Sequence, residues 1–187
     1  SINTIIKKNK KIDVIINNAG YSVFTKFYNR TKKELDKTIN VNIIGTLNII
    51  NSYVKIHKKK KLQYCNIINI GSIYGLMSPD FRIYGKKGNY NSEIYGATKA
   101  SIIQLTKYYS VLLADLNINV NCLSPGGLYN TKNPQTASFI KKYSLRVPKA
   151  RMAKPEDLYT GIIFLASSKS NYVSGQNIIV DGGLSSW

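Results

Sequence analysis

The sequence predicts an α/β domain built around a parallel sheet. Short apolar runs alternate with longer stretches of helical periodicity, which is the order of βα units. The runs are continuous rather than alternating, as expected of strands covered on both faces. Each run also stops at a glycine-bearing turn.

The first strand is expected in the run Asp13-Val-Ile-Ile-Asn-Asn-Ala-Gly20. A helix should begin near Thr31, because Thr31-Lys-Lys-Glu34 is a capping box. Its apolar pattern continues through Ile39, Ile43, Leu47 and Ile50 toward a lysine run. The second strand is Asn66 to Ile70, ending in Gly71-Ser72. A second long helix is expected from Ser92 to Leu116, with Ile102, Leu105, Tyr109, Leu112 and Leu116 as its buried stripe. The third strand is Ile118 to Leu123, stopped by Ser124-Pro125-Gly126-Gly127. A long polar segment follows, Leu128 to Lys154, of a length common for lids and binding segments. Pro155 fits the first turn of a helix ending near Ser167. The last strand is Asn177 to Val180, before Asp181-Gly182-Gly183.

The chain has 187 residues, enough for a single domain with a sizeable core. Hydrophobic residues at 43% and charged residues at 19% exclude a wholly disordered chain. No apolar stretch is long enough to suggest a membrane span, and the polar, Lys-rich start does not resemble a secretory leader. Cys65 and Cys122 lie in apolar runs without metal-like spacing, so buried reduced thiols in a cytoplasmic protein are expected, and no metal. Lys and Arg number 27 against 9 Asp and Glu, a net charge of +18. The composition is skewed throughout toward Lys, Asn, Ile and Tyr, and the lysines are spread along the chain. The one dense run, Lys58 to Lys61, suits a solvated helix end. A nucleic-acid partner is therefore not expected.

Tyr95 and Lys99 lie four apart on the second long helix, so both point to one face. An ammonium near a phenol stabilises the phenolate, and such a tyrosine can exchange a proton with a substrate hydroxyl or carbonyl. The spacing alone is weak, since Tyr28 and Lys32 repeat it. Context strengthens it. Ser72, Gly20 and Pro125-Gly126 all fall at the carboxyl ends of expected parallel strands, where ligands of open α/β sheets bind. The Ser72 hydroxyl is placed to donate to a carbonyl oxygen beside the phenol. Asn42 is a costly residue type inside a helix. It is either solvent-facing or locally bonded, or it holds a water that links Lys99 to solvent.

Asn17-Asn-Ala-Gly20, Asn42 within Asn-Val-Asn, Gly71-Ser72, Tyr95-x-x-x-Lys99, Pro125-Gly126 and Asp181-Gly-Gly183 occur in one order. Together they resemble the short-chain dehydrogenase/reductase family over nearly the whole chain. The resemblance implies an NAD- or NADP-dependent oxidoreductase with a Rossmann-like, doubly wound parallel sheet. It implies Tyr95 as the general acid/base, Lys99 on the nicotinamide ribose, Ser72 orienting the substrate oxygen and Asn42 in the proton relay. Asn17, Ala19 and Gly20 would line the adenosine side; Pro125, Gly126 and Leu128 would flank the nicotinamide. A small-molecule substrate and a homo-oligomer are also implied. Ser72 and Tyr95 are 23 positions apart, longer than is usual in the family, and the extra loop from Ser78-Pro-Asp-Phe-Arg-Ile-Tyr-Gly85 onward should shape substrate choice. Residues 126–154 would form a substrate lid. The motifs around Pro125 and Arg146 to Asp157 are similar to a bacterial subgroup of surface-sugar biosynthesis, which points to a sugar or nucleotide-sugar.

The family also begins with a strand, a glycine-rich turn and a helix, followed by two more strands. Only 16 residues precede Asn17, and they hold no G-x-x-x-G-x-G. The sheet is thus expected to lack its first three strands and the phosphate loop, as in an N-terminally truncated enzyme of impaired activity. The alternative is a non-catalytic fragment or a binding protein that uses the same fold.

Overall fold

The computed structural model describes residues 2–85 and 90–187. The part of the inserted loop at 86–89, and Ser1, lie outside the described residues. Among the described residues four strands form one sheet: β1 (Val14–Asn17), β2 (Cys65–Ile70), β3 (Ile118–Pro125) and β4 (Asn177–Val180). They pair in the order β1-β2-β3-β4, all parallel, with Ile15 opposite Ile67 and Ile67 opposite Val120. The expected strands are therefore all present, with β3 running two residues further to Pro125.

Helices cover both faces. On one side stand α1 (Ile2–Asn9), α3 (Gly45–Lys60) and α4 (Glu93–Leu112). There Ile6, Ile50, Tyr53, Ile67, Tyr109, Leu113 and Val120 share a core. On the other side α6 (Tyr159–Ala166) packs Leu165 against Ile68 and Leu123. Neighbouring strand residues point to opposite faces, so Ile67 and Ile68 feed different cores. Each fully buried aliphatic side chain contributes about 1.5–3 kcal/mol.

The sequence reading did not foresee α1. Its apolar residues at 2, 5 and 6 sit at helical spacing among lysines, and Ile6 is buried. The capping box at Thr31 opens α2 (Lys32–Ile39), with Thr31 accepting from the Glu34 amide. Between α2 and α3 the chain widens into a π-helical turn, Asn40–Ile44. The lysine run closes α3, where Lys61 takes a left-handed conformation. His57, one turn earlier, is buried against Tyr53.

Asparagine is a poor strand residue, yet Asn17, Asn66, Asn69 and Asn121 all sit in the sheet. Each side-chain amide is paired. Asn17 donates to Asn69, Asn69 donates to Thr106 on α4, and Asn66 donates to the Ala166 carbonyl. The first ties two strands together and the other two tie strands to helices. The expected helix at Pro155 begins as a 3-10 turn, Pro155–Leu158, before α6. The segment 126–154 contains a helix that was not foreseen, α5 (Ala137–Ser144). Tyr143, Val147 and Met152 of this segment form a second small core with Ile73, Ile83 and Leu184.

Candidate active site

The cleft at the carboxyl ends of β1, β2 and β3 has a volume of about 440 Å³. Ser72, Tyr95 and Lys99 all line it. Three local devices bring them together. Ser72 caps the short turn Ile73–Gly75, its hydroxyl accepting from the Tyr74 amide at 3.1 Å. Ser92 caps α4 and accepts from the Tyr95 amide, which sets the phenol at the first turn. Gly75 and Gly96 let that turn and α4 touch: a methyl on Gly75 would lie 2.7 Å from the Lys99 carbonyl carbon.

Lys99 is only 4% exposed, and its amine donates to the Ile70 carbonyl at 2.6 Å. It lies 5.7 Å from the centre of the Tyr95 ring. Burial pushes the Tyr95 phenol above its ordinary value, and the Ser72 hydroxyl beside it works in the opposite direction. Burial also pulls the Lys99 ammonium down. In this cleft burial dominates at Tyr95, and the Lys99 amine is turned to the Ile70 carbonyl.

Asn42 is not solvent-facing. It is 2% exposed, inside the π-helical turn. Its carbonyl oxygen accepts from the Tyr21 amide at 2.8 Å, and its amide donates to the Tyr21 carbonyl and to Thr98. Thr98 in turn donates to the Tyr95 carbonyl. Asn42 thus clamps the loop after β1 to α4, next to Lys99.

Gly20, Pro125, Gly126 and Leu128 line the same cleft. Asn17 and Ala19 do not. They line a second cleft of about 710 Å³ along the outer edge of β1. Gly126 donates to the Val180 carbonyl, and a methyl on it would press on Asp181 at 2.9 Å. Asp181 accepts from the amides of Gly183 and Ser185, and Gly182 adopts φ of 69°, which suits glycine. The closing Asp-Gly-Gly motif is thus a buttress for the Pro125-Gly126 wall. Sequence reasoning missed Tyr74, Thr98 and Tyr143. Tyr143 accepts from the Gly127 amide. Only the small residues Gly75 and Gly96 carried a legible signal of close approach.

A nicotinamide group can be tested against this cleft. The missing side chain at Gly20 leaves open the space beside Lys99, where a methyl would sit 3.7 Å from the amine. Lys99 uses one N–H on Ile70 and has two more to offer. The ribose-nicotinamide half fits these residues. Among the described residues no group of three His, Cys, Asp or Glu is arranged to hold a metal, and no helix is long and apolar enough to cross a membrane.

Parallel strands wrapped on both faces, with a cleft holding Ser72, Tyr95 and Lys99 at their carboxyl ends, define a Rossmann-like α/β protein. The chain belongs to the short-chain dehydrogenase/reductase family, matching over residues 1–185 the family model described as Enoyl-(Acyl carrier protein) reductase. It is 34% identical over 184 residues to the 3-oxoacyl-(acyl-carrier-protein) reductase FabG of Thermotoga maritima, covering 98% of this chain and 70% of that one. A short chain dehydrogenase from Leptospira borgpetersenii, solved with bound NAD+, superposes with a TM-score of 0.88 at 42% identity, over 97% of this chain and 68% of that one. A gluconate 5-dehydrogenase from Burkholderia cenocepacia, in complex with NADP and tartrate, superposes with a TM-score of 0.85 at 27% identity, over 100% and 69%.

Proposed function

We propose that the chain is a nicotinamide-dependent oxidoreductase that interconverts a carbonyl and a hydroxyl on a small molecule, with Tyr95 as proton donor and acceptor. The observation that carries this reading is the convergence of Ser72, Tyr95 and Lys99 on one cleft. The cofactor is NAD or NADP, as in the solved relatives. When bound, it supplies a hydride to the carbonyl carbon or takes one from the carbinol carbon. Ser72 donates to the carbonyl oxygen. Tyr95 passes its proton to that oxygen as negative charge develops there. Lys99 stabilises the phenolate left behind and offers its remaining N–H groups to the ribose hydroxyls. Asn42 keeps Tyr21 and Thr98 in register around the amine.

Two substrate classes suit the reading. One is a sugar-like hydroxyl or carbonyl, including a nucleotide-sugar, in keeping with the surface-sugar resemblance and with the gluconate 5-dehydrogenase relative. The other is a 3-oxoacyl compound, in keeping with the FabG relative. Segment 126–154 covers the substrate end. The cleft's contribution to cofactor binding is to the ribose-nicotinamide half, through Lys99 and the space left by Gly20. Exposed Tyr108, Val111 and Leu112 on α4 suit packing between copies of the chain.

The test is turnover of ethyl acetoacetate and of hydroxyacetone with NADH and NADPH, wild type against Tyr95→Phe. We expect a loss of about 10²–10⁴-fold in the variant with its melting temperature retained. A Tyr95→Phe chain as active as wild type sinks the reading.

A further inference from the structure

The loop inserted between Ser72 and α4 does more than lengthen the chain. It brings Tyr84 onto Tyr74, with the two phenol oxygens 3.0 Å apart. Tyr74 stands two residues beyond Ser72 and donates its amide to the Ser72 hydroxyl. Its backbone is fixed from the other side as well, since a methyl on Gly96 would lie 2.9 Å from its carbonyl oxygen. Tyr74 lines both the Tyr95 cleft and a larger cleft of about 860 Å³ beside it. Tyr74 is therefore a partition with a polar tip. A charge on Tyr95 would oppose ionisation of Tyr74.

Tyr84 is held firmly. Its ring meets Phe139 of α5 edge-on at 5.2 Å and Tyr90 at 5.8 Å. Its neighbour Ile83 lies in the small core with Tyr143 and Val147. Asp80 bridges Arg82 of the loop and Arg146 beyond α5, at 2.8 and 3.2 Å. Lys142 donates to the Arg82 carbonyl. The inserted loop and the 126–154 segment are thus stapled into one unit.

A phenol has one proton to give. In the Tyr74–Tyr84 pair either oxygen can be the donor. If Tyr84 gives its own proton to Tyr74, the Tyr74 proton is left for the cleft. Burial raises both phenols, so both stay protonated through the neutral range.

We propose that the Tyr74–Tyr84 pair is a substrate-recognition element of this cleft, in which Tyr84 orients Tyr74 so that its hydroxyl donates to a second oxygen on the carbonyl substrate. The proposal rests on the oxidoreductase reading and sharpens it. The substrate is a ketone carrying a further acceptor oxygen near the reacting carbon. A 3-oxoester and a hydroxyketone share that chemistry, and a plain ketone lacks it.

The test compares two matched pairs on the full chain: ethyl acetoacetate with hexan-2-one, and hydroxyacetone with butan-2-one. For each pair the ratio of kcat/KM is measured in wild type, Tyr74→Phe and Tyr84→Phe. Comparing ratios between variants cancels the intrinsic reactivity of the ketones. We expect Tyr74→Phe to lower the preference for the oxygen-bearing member about tenfold or more in at least one pair, mainly through KM. Tyr84→Phe should lower it less, with the plain ketones little affected. A merely structural role would slow both members alike and leave the ratio unchanged. The pair that responds identifies an oxoacyl or a polyol-type substrate. The same ratios read as dissociation constants by ligand-observed NMR need no turnover. Ratios unchanged by Tyr74→Phe in both pairs overturn the proposal. Turnover that survives Tyr95→Phe instead overturns the oxidoreductase reading and leaves the NMR ratios to judge the phenol pair.

Discussion

At the scale of single residues, Tyr95 and Lys99 are shifted in opposite senses by one cause. Burial raises the phenol and lowers the ammonium. A phenol above its ordinary value is protonated at neutral pH and serves as an acid, which favours carbonyl reduction there. We expect kcat/KM for ketone reduction to stay level from about pH 6 to 9 and to fall only above about pH 10, where phenols ionise. Alcohol oxidation should climb over the same range. A reduction profile that falls through about pH 7 would show instead that the bound cofactor acidifies Tyr95 strongly. Gly75 makes a second residue-scale case. A methyl there would lie 2.7 Å from the Lys99 carbonyl carbon and 2.8 Å from the Ala100 nitrogen. Backbone cannot yield as a side-chain tip does. Gly75→Ala should cost about 1–3 kcal/mol in urea denaturation and slow turnover by parting Ser72 from Tyr95. Gly45→Ala is the control. Its nearest neighbour would be 3.5 Å away inside a helical run, so the variant should gain about 0.5–1 kcal/mol.

At the scale of elements, the π-helical turn explains an asparagine that costs helix propensity. The extra backbone width lets Asn42 reach Tyr21 and Thr98 at once. Asn42→Ala would strand the Tyr21 amide and carbonyl and take from the Thr98 hydroxyl the bond it accepts, leaving the one it donates to Tyr95. We expect a loss of about 2 kcal/mol or more, read from the urea midpoint; a change within about 0.5 kcal/mol would mean that water replaces the side chain. The sequence showed that Asn42 was out of place and not what it held, because Tyr21 and Thr98 are 21 and 56 residues away. The strands and the capped helix at Thr31 were legible, since continuous apolar runs and a capping box are local signals. Helix α1 was not, because its two turns carry three isoleucines among lysines and only packing against α3 decides its state. The candidate site was legible as an order of short motifs. What stayed hidden were partners far apart in the chain: which elements the small residues Gly75 and Gly96 bring together, and the pairing of Tyr74 with Tyr84.

At the scale of the whole molecule, a core rich in tyrosine sets the response to alkali. Burial raises the phenols of Tyr53, Tyr74, Tyr84, Tyr95, Tyr109 and Tyr143. It raises the thiols of Cys65 and Cys122 as well. Each of these groups keeps its proton longer folded than unfolded. The stability it contributes is complete below its ordinary value and drains away as pH climbs toward the folded value. For Cys65 that span runs from 9.0 to about 11, and for Tyr143 from 10.0 to about 12. Two effects oppose the loss. The repulsion behind the net charge of +18 weakens as the chain loses positive charge in alkali, and Lys99 loses the penalty of a buried charge. The lysine repulsion is exposed and is screened within about 8 Å at physiological salt, whereas the phenols lie in the cores. The phenols should therefore win. A fully shifted group costs up to about 1.4 kcal/mol for each pH unit within its span. At about 0.3 M salt, the urea midpoint should be level between about pH 7 and 8.5 and fall steeply between about pH 10 and 12. A midpoint that holds or rises through about pH 11 would show that lysine repulsion, rather than buried phenols, governs the alkaline limit of this fold.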